Sequence, residues 1–310
     1  MALPIDPSKI KKAADEVLDE VASNFNVNVY VDPTANEDMV FSMKDHFDTS
    51  DDHVQINYIN MQEHKLRMDL DPAFAIILAG ADRYSVLTYQ ALQVKEVPVL
   101  IMCIDPHLIV NAAKASGVDV RKGDVICPSL KKYTWVEGPD GASIDFNDYN
   151  EGMDASLKSK LTDWLYYYSE AVQISFAAHF PFLRSAISIR LINACAIENA
   201  GVGVLKILPG ADMPLMTLNQ ARMLLELAGI YGYDISSDRI IEMVVLVLSA
   251  FGFRYLSNYV NDNSPIPEFV VDAVFGFGGT ELIGFLAREY FSRGLAPEGL
   301  VEKCKSFFKK

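Results

Sequence analysis

From Ser8 to Phe25 the apolar residues Ile10, Ala14, Val17, Leu18 and Val21 recur at helical spacing. Lys11, Lys12, Asp15, Asp19 and Glu20 fall mostly off that stripe, so the period predicts an amphipathic helix. NVNVYV (Asn26 to Val31) alternates and is β-branched, which predicts a strand closed by Asp32 and Pro33. Asn36 to Phe47 suits a short helix, DTSDD (Asp48 to Asp52) a loop, and HVQINYI (His53 to Ile59) a second strand whose alternation fits a sheet edge. AFAIILA (Ala73 to Ala79) and VPVLIMCI (Val97 to Ile104) are nearly continuous apolar runs on either side of a helix-compatible segment, Tyr84 to Val94. Buried parallel strands joined by a crossover helix have that pattern. Pro106 opens a helix that Gly117 closes, and DVICP (Asp124 to Pro128) supplies a fifth strand.

Ser129 to Asp154 turns polar and rich in Gly and Asp, with EGPDG (Glu137 to Gly141) as a turn between hairpin arms at Tyr133 to Val136 and Ser143 to Phe146. Beyond it the pattern is helical. Ser156 to His179 and Pro181 to Leu208 form two helices, and LPGADMP (Leu208 to Pro214) breaks the second. Thr217 with Gln220 forms a capping box for a third, which ends near Gly229 or Gly232. A fourth runs from Asp238 to about Val260, a fifth from Glu268 to Ser292 with Gly294 as its stop, and Pro297 to Lys310 forms a tail helix. The expected fold class is therefore α/β plus all-α: a Rossmann-like parallel sheet over residues 1–135, a linker over 136–154, and a helical domain of five or six helices over 155–310.

The helical half carries glycines where helices lose stability, at Gly201, Gly203, Gly252, Gly276, Gly278, Gly279 and Gly284. Close helix packing is the expected return, and Gly278→Leu is expected to disrupt it. Met243 to Phe253 is uncharged for only 11 residues between Glu242 and Arg254, and the fifth helix holds Asp272 and Glu281. A bilayer span needs about 20 apolar residues, so buried bundle helices are expected, with peripheral membrane association as the remaining membrane role.

Charge divides the chain as the elements do. Of a net −14, residues 1–170 hold 28 acidic against 15 basic side chains, and residues 171–310 hold 13 against 12. An acidic front domain repels phosphate backbones, and no basic stripe with interleaved aromatics offsets it, so nucleic acid is not an expected partner. Cys103, Cys127, Cys195 and Cys304 lack metal-ligand spacing and read as reduced thiols, and MALPIDPSKIKK has no apolar signal segment. The expected location is cytoplasmic, at most peripheral to the inner face of the cell membrane.

After the first strand, where a P-loop would place glycines, Lys and Ser/Thr, the chain reads VDPTANEDM (Val31 to Met39), whose Asp32, Glu37 and Asp38 repel phosphate. At the carboxyl edge of the sheet, AGADRYS (Ala79 to Ser85) offers Gly80, Asp82 and Arg83, and CIDPHL (Cys103 to Leu108) offers Asp105 and His107. Open α/β sheets bind ligands at that edge. Asp32, Asp105 and His107 are of the right types to hold a divalent metal or to run acid–base chemistry, yet no metal spacing rule is met and no cofactor is implied. A strand-to-helix turn with Asp82 as cap, and an ordinary helix start at Asp105–Pro106, account for the same residues. In the helical half Asn193, Glu198, Asn199, Asp212, Asn219, Gln220, Arg222 and Glu226 interrupt apolar helices and are expected to form a structural network or a partner site, with Arg222 and Glu226 one turn apart.

INACAIENAGVGVLKILPGADMPLMTLNQARMLLELAGIYG (Ile192 to Gly232) carries a PGADMP turn, a T-x-x-Q-x-R-M helix start and A-G-I-Y-G. On these features residues 181–289 resemble the bacterial helical domain of unknown function fused behind Era-like GTPase domains, and its stand-alone actinobacterial relatives with an α/β domain in front. The resemblance implies a GTPase-like sheet. VPVLIMCIDPH (Val97 to His107) then stands where a GTPase would read guanine with N-K-x-D, a motif missing here together with the P-loop. The expectation is a non-catalytic interaction or scaffold protein that binds itself or another protein. The alternative is a small-ligand sensor or enzyme using the carboxyl edge of the sheet.

Overall fold

A computed structural model describes residues 7–48, 53–62, 72–128, 135–138, 141–144, 151–168, 173–205, 212–235, 244 and 268–294. The chain divides into two units, Ser23–Gln173 and a second made of Met1–Ala22 with Ile174–Lys310.

In the first unit five strands form an all-parallel sheet: β1 (Phe25–Val31), β2 (Val54–Asn60), β3 (Phe74–Leu78), β4 (Val99–Met102) and β5 (Val125–Ile126), in the order β2-β1-β3-β4-β5. This is a common doubly wound order, and the Rossmann-like sheet is the one the apolar runs predict. β3 and β4 are buried at every position, and β2, whose residues alternate, forms an edge. β1 buries a polar residue, Asn28, whose side-chain oxygen accepts from Asn57 Nδ2 at 3.2 Å while its own Nδ2 donates to Tyr30 at 3.4 Å.

Three helices follow strands at their carboxyl ends. α2 (Glu37–His46) is capped by Asn36, whose side chain accepts from the Met39 N–H at 2.9 Å, and its acidic first turn and basic last turn complement the helix dipole. α3 (Tyr84–Val94) and α4 (Pro106–Ser116) put Val86, Tyr89, Leu92, Ile109 and Ala113 into one cluster with Ala75, Ile77, Val99, Ile101 and Cys103 of the sheet. Gly117 ends α4 at φ +65°, a conformation open to glycine at little cost. A hairpin, β6 (Trp135–Gly138) with β7 (Gly141–Ile144), pairs Trp135 with Ile144 inside the polar stretch.

α5 (Glu151–Tyr168) changes the expected boundaries. It starts inside the stretch assigned to the linker and belongs to the sheet unit. Its Trp164 meets Phe74 edge-on at 5.9 Å between ring centroids, and Lys160 Nζ donates to the Cys127 carbonyl at 2.6 Å. Asp154 accepts from Ser42 and pairs with Lys158 at 2.6 Å and His46 at 3.4 Å. The single helix expected over 156–179 is instead α5 and α6 (Gln173–His179).

The first helix is the converse case. α1 (Pro7–Val21) belongs to the helical unit, where Ile10, Ala13, Ala14 and Val17 pack with Ala221, Leu224, Leu225 and Ala228 of α8 (Asp212–Ile230). Ala13 rather than Leu18 completes the buried stripe. Ser175 Oγ of α6 donates to the Val21 carbonyl at 3.1 Å. α7 (Pro181–Leu205) and α9 (Glu268–Ser292) complete the described helices, with Ile192, Cys195, Ile283, Ala287, Tyr290 and Phe291 in the same core.

Two further expectations are corrected. Thr217 is not a cap: α8 begins at Asp212, because Pro214 falls in a first turn whose N–H groups have no helical acceptor, and Thr217 lies buried inside the helix. Gly278 is exposed and a Cβ there would meet nothing within 4 Å; the close approach is at Gly284, against Ile192 of α7. Asp238 to Val260 apart from Val244, the Leu208 to Ala211 part of the PGADMP turn, and the tail from Pro297 lie outside the described residues. Among the described residues no helix is long and apolar enough to cross a membrane.

Candidate functional site

Strand order reverses between β1 and β3, and such a switch point is where doubly wound sheets open a crevice for ligand. Asp32 follows β1 and Gly80 follows β3 at this place, and both are buried. The loop between them is folded inward. One Asp32 side-chain oxygen accepts from the Thr34 N–H at 2.8 Å and from Thr34 Oγ1 at 2.7 Å; the other accepts from Ser85 Oγ at 2.7 Å. Thr34 Oγ1 in turn accepts from the Ala81 N–H at 2.8 Å.

Gly80 permits this closure. A Cβ at Gly80 would stand 2.2 Å from the Thr34 carbonyl carbon, so only glycine lets the two loops touch. The chain thus fills its own switch point. Asp32 brings a carboxylate to this edge of the sheet, and the Ala81 N–H is already bonded to protein.

The other edge residues are engaged locally. Asp82 accepts from the Tyr84 N–H at 3.2 Å, Arg83 is exposed beside it with no capping bond, and Asp105 accepts from the His107 N–H at 2.9 Å. Asp105 is thus the N-cap of α4, as the plain turn reading anticipates, whereas the N-cap of α3 is Arg83 and Asp82 bonds the helix start from one residue further out. His107 is exposed, and no hydrogen bond joins Asp32, Asp82, Asp105 and His107 to one another among the described residues. Nor do any three His, Cys, Asp or Glu among the described residues gather to hold a metal ion, so the Asp32, Asp105 and His107 set does not form one.

The polar positions of the helical unit separate into two clusters. In the first, Asn199, fully buried, donates through Nδ2 to Thr280 Oγ1 at 2.9 Å and accepts from Asn219 Nδ2 at 3.0 Å; Gln220 Nε2 reaches the same Thr280 oxygen at 3.0 Å. These bonds tie α7, α8 and α9 together. In the second, Arg222 pairs with Glu226 at 2.8 Å, Glu20 at 2.5 Å and Glu16 at 3.3 Å, binding α1 to α8.

Burial pushes the Glu226 carboxyl up to about 7 despite its bond to Arg222, and Glu20 and Glu198 push in the same direction. Glu198 itself is exposed, Asn193 joins neither cluster, and the Asp212 side chain lies outside the described ones. Thr280, Glu16, Glu20, Thr34 and Ser85 are the participants that sequence reading missed. Only Thr34 had a local signal, as the Asp-Pro-Thr turn after β1.

With the geometry in place, comparison adds no relative: no family model, curated protein or solved structure matches the chain.

Proposed function

We propose that this chain is a non-catalytic interaction or scaffold protein, acting through association with itself or another protein and requiring no cofactor. The observation that carries this reading is the closed switch point, where Asp32, Thr34, Gly80 and Ser85 satisfy one another. A ligand entering there would have to displace the Thr34 bonds and lie against a buried acidic side chain, which disfavours phosphate most of all. The two helical clusters support the same reading, since each joins helices.

The helical unit is proposed to be a relative of the domain found behind Era-like GTPases, here joined to a sheet without guanine chemistry. Residence in the cytoplasm, at most peripheral to the inner membrane face, belongs to the same proposal. The acidity of the α/β unit disfavours nucleic acid as a partner.

Native mass spectrometry of the detergent-free protein tests the proposal by recording subunit number and any retained small molecule together. A discrete oligomer, or a stable complex with another protein, at the bare chain mass is the expected result. A monomer that reproducibly carries a bound mass would replace this reading with the small-ligand sensor or enzyme.

A further inference from the structure

Cys103 and Cys127 directly follow β4 and β5. The parallel register runs Ile101 beside Val125 and Met102 beside Ile126, and the Cys103 N–H completes the second pair by donating to the Ile126 carbonyl at 3.1 Å. One residue further along, the same register sets Cys127 opposite Cys103, whose Sγ lies 3.8 Å from the Ile126 carbonyl. Adjacent strands lie about 4.8 Å apart, inside the roughly 4.4–6.8 Å between Cα atoms that a disulfide spans. Cross-strand neighbours also face the same side. Both residues accordingly join the apolar cluster formed with α3 and α4, Cys103 buried within it and Cys127 half-buried against it. Both thiols are free.

We propose that Cys103 and Cys127 are a peroxide-sensitive dithiol that closes to an intramolecular disulfide across the carboxyl ends of β4 and β5. Cys127 meets the oxidant, since it is the more accessible of the two. Burial pushes the Cys103 thiol up to about 12, with Cys127 and Asp105 adding to the effect, which makes it a poor first nucleophile.

The Cys127 sulfur attacks one oxygen of hydrogen peroxide and the O–O bond breaks. The departing hydroxide leaves with the Cys127 proton as water, and a sulfenic acid remains. Cys103 Sγ then attacks that sulfur, the S–O bond breaks, and the second hydroxide leaves with the Cys103 proton as water. The two thiols have lost two electrons and two protons, and one peroxide has become two waters. The new bond fastens β5, which pairs with β4 over only two residues, next to the Cys127 carbonyl that Lys160 of α5 holds.

This inference is independent of the scaffold proposal. Its test uses the reduced full-length chain treated with hydrogen peroxide, alkylated under denaturing conditions and mapped by peptide mass. The expected result is a Cys103–Cys127 cross-linked peptide, lighter by two hydrogens, which dithiothreitol restores, with Cys195 and Cys304 still alkylated. In Cys103→Ser a sulfenic acid trappable by dimedone should accumulate at Cys127, whereas Cys127→Ser should leave Cys103 alkylatable in the denatured chain.

Should the buried Cys103→Ser variant fail to fold, the wild-type map and Cys127→Ser, at a half-buried site, still decide the matter. Cys127 oxidised to sulfinic acid while Cys103 stays a thiol, or a disulfide to Cys195, to Cys304 or between chains, would overturn the proposal.

Discussion

Gly284 is where the packing of the helical unit is most directly open to measurement. A Cβ at this position of α9 would stand 2.7 Å from Ile192 Cγ1, 2.8 Å from Cγ2 and 3.2 Å from Cβ. Carbon atoms prefer about 3.5–4.0 Å, so the methyl of Gly284→Ala arrives the better part of an ångström too close. Ile192 is fully buried and β-branched, and its stiff χ1 leaves it little room to turn away. Overpacking of this kind costs about 1–3 kcal/mol, offset by about 1 kcal/mol of helix propensity gained on replacing glycine.

Gly278→Ala, in the same helix but exposed to open space, cancels the propensity contribution. Gly278→Ala should therefore be the more stable of the two variants by about 1–3 kcal/mol. Both tryptophans, Trp135 and Trp164, belong to the α/β unit, so the readout is hydrogen exchange of α7 and α9 amides through a urea series rather than tryptophan emission. In an Ile192→Ala background the two closest atoms are gone and only the 3.2 Å contact with Cβ remains, so most of the penalty of Gly284→Ala should disappear. Equal stability of the two alanine variants, or a penalty that persists in full in the Ile192→Ala background, would refute close α7–α9 contact at Gly284.

Two other outcomes follow from the same structure. Gly80→Ala should destabilise the α/β unit by about 3 kcal/mol or more, since its Cβ meets Thr34 backbone rather than a movable side chain; a urea midpoint by tryptophan emission unchanged from wild type would exclude the closed switch point. Glu226, raised from 4.5 to about 7 in the folded chain, leaves stability intact below pH 4.5, where both states are protonated, and removes on the order of 3 kcal/mol as pH rises to 7. Glu226→Gln should lose that decline, and parallel stability–pH curves for variant and wild type would contradict it.

Much of the fold is legible in local signals. The bounds of α3, α4 and α9 coincide with those expected, because Asp105–Pro106 starts a helix and Gly117 and Gly294 stop one through their own backbone preferences. What the sequence hides is partner choice. The stripe of α1 shows that it packs but not that α8, some 200 residues on, receives it, and the same holds for α5 and Phe74. Gly278 and Gly284 look alike in sequence and differ only in what stands opposite. The edge residues Asp32, Gly80, Asp82 and Asp105 are correctly located by strand ends, but Asp32 is satisfied by Ser85, 53 positions away, which no local pattern announces.

These assignments bear on how a site is recognised at all. A group that reacts with or selects a ligand must keep part of its hydrogen-bonding capacity directed at that ligand, and the polar residues singled out by sequence mostly spend theirs on the fold. Asp32 is held by a hydroxyl and a backbone N–H of its own loop and a hydroxyl from α3, and Asn199 by side chains of α8 and α9. Arg222 is shared among three carboxylates on two helices. Buried networks of this type cost desolvation unless complete, and complete ones fix a unique arrangement of elements. Their return is a rigid frame. Cys127, half-buried beside its register partner, is the exception: its sulfur has chemistry left to do.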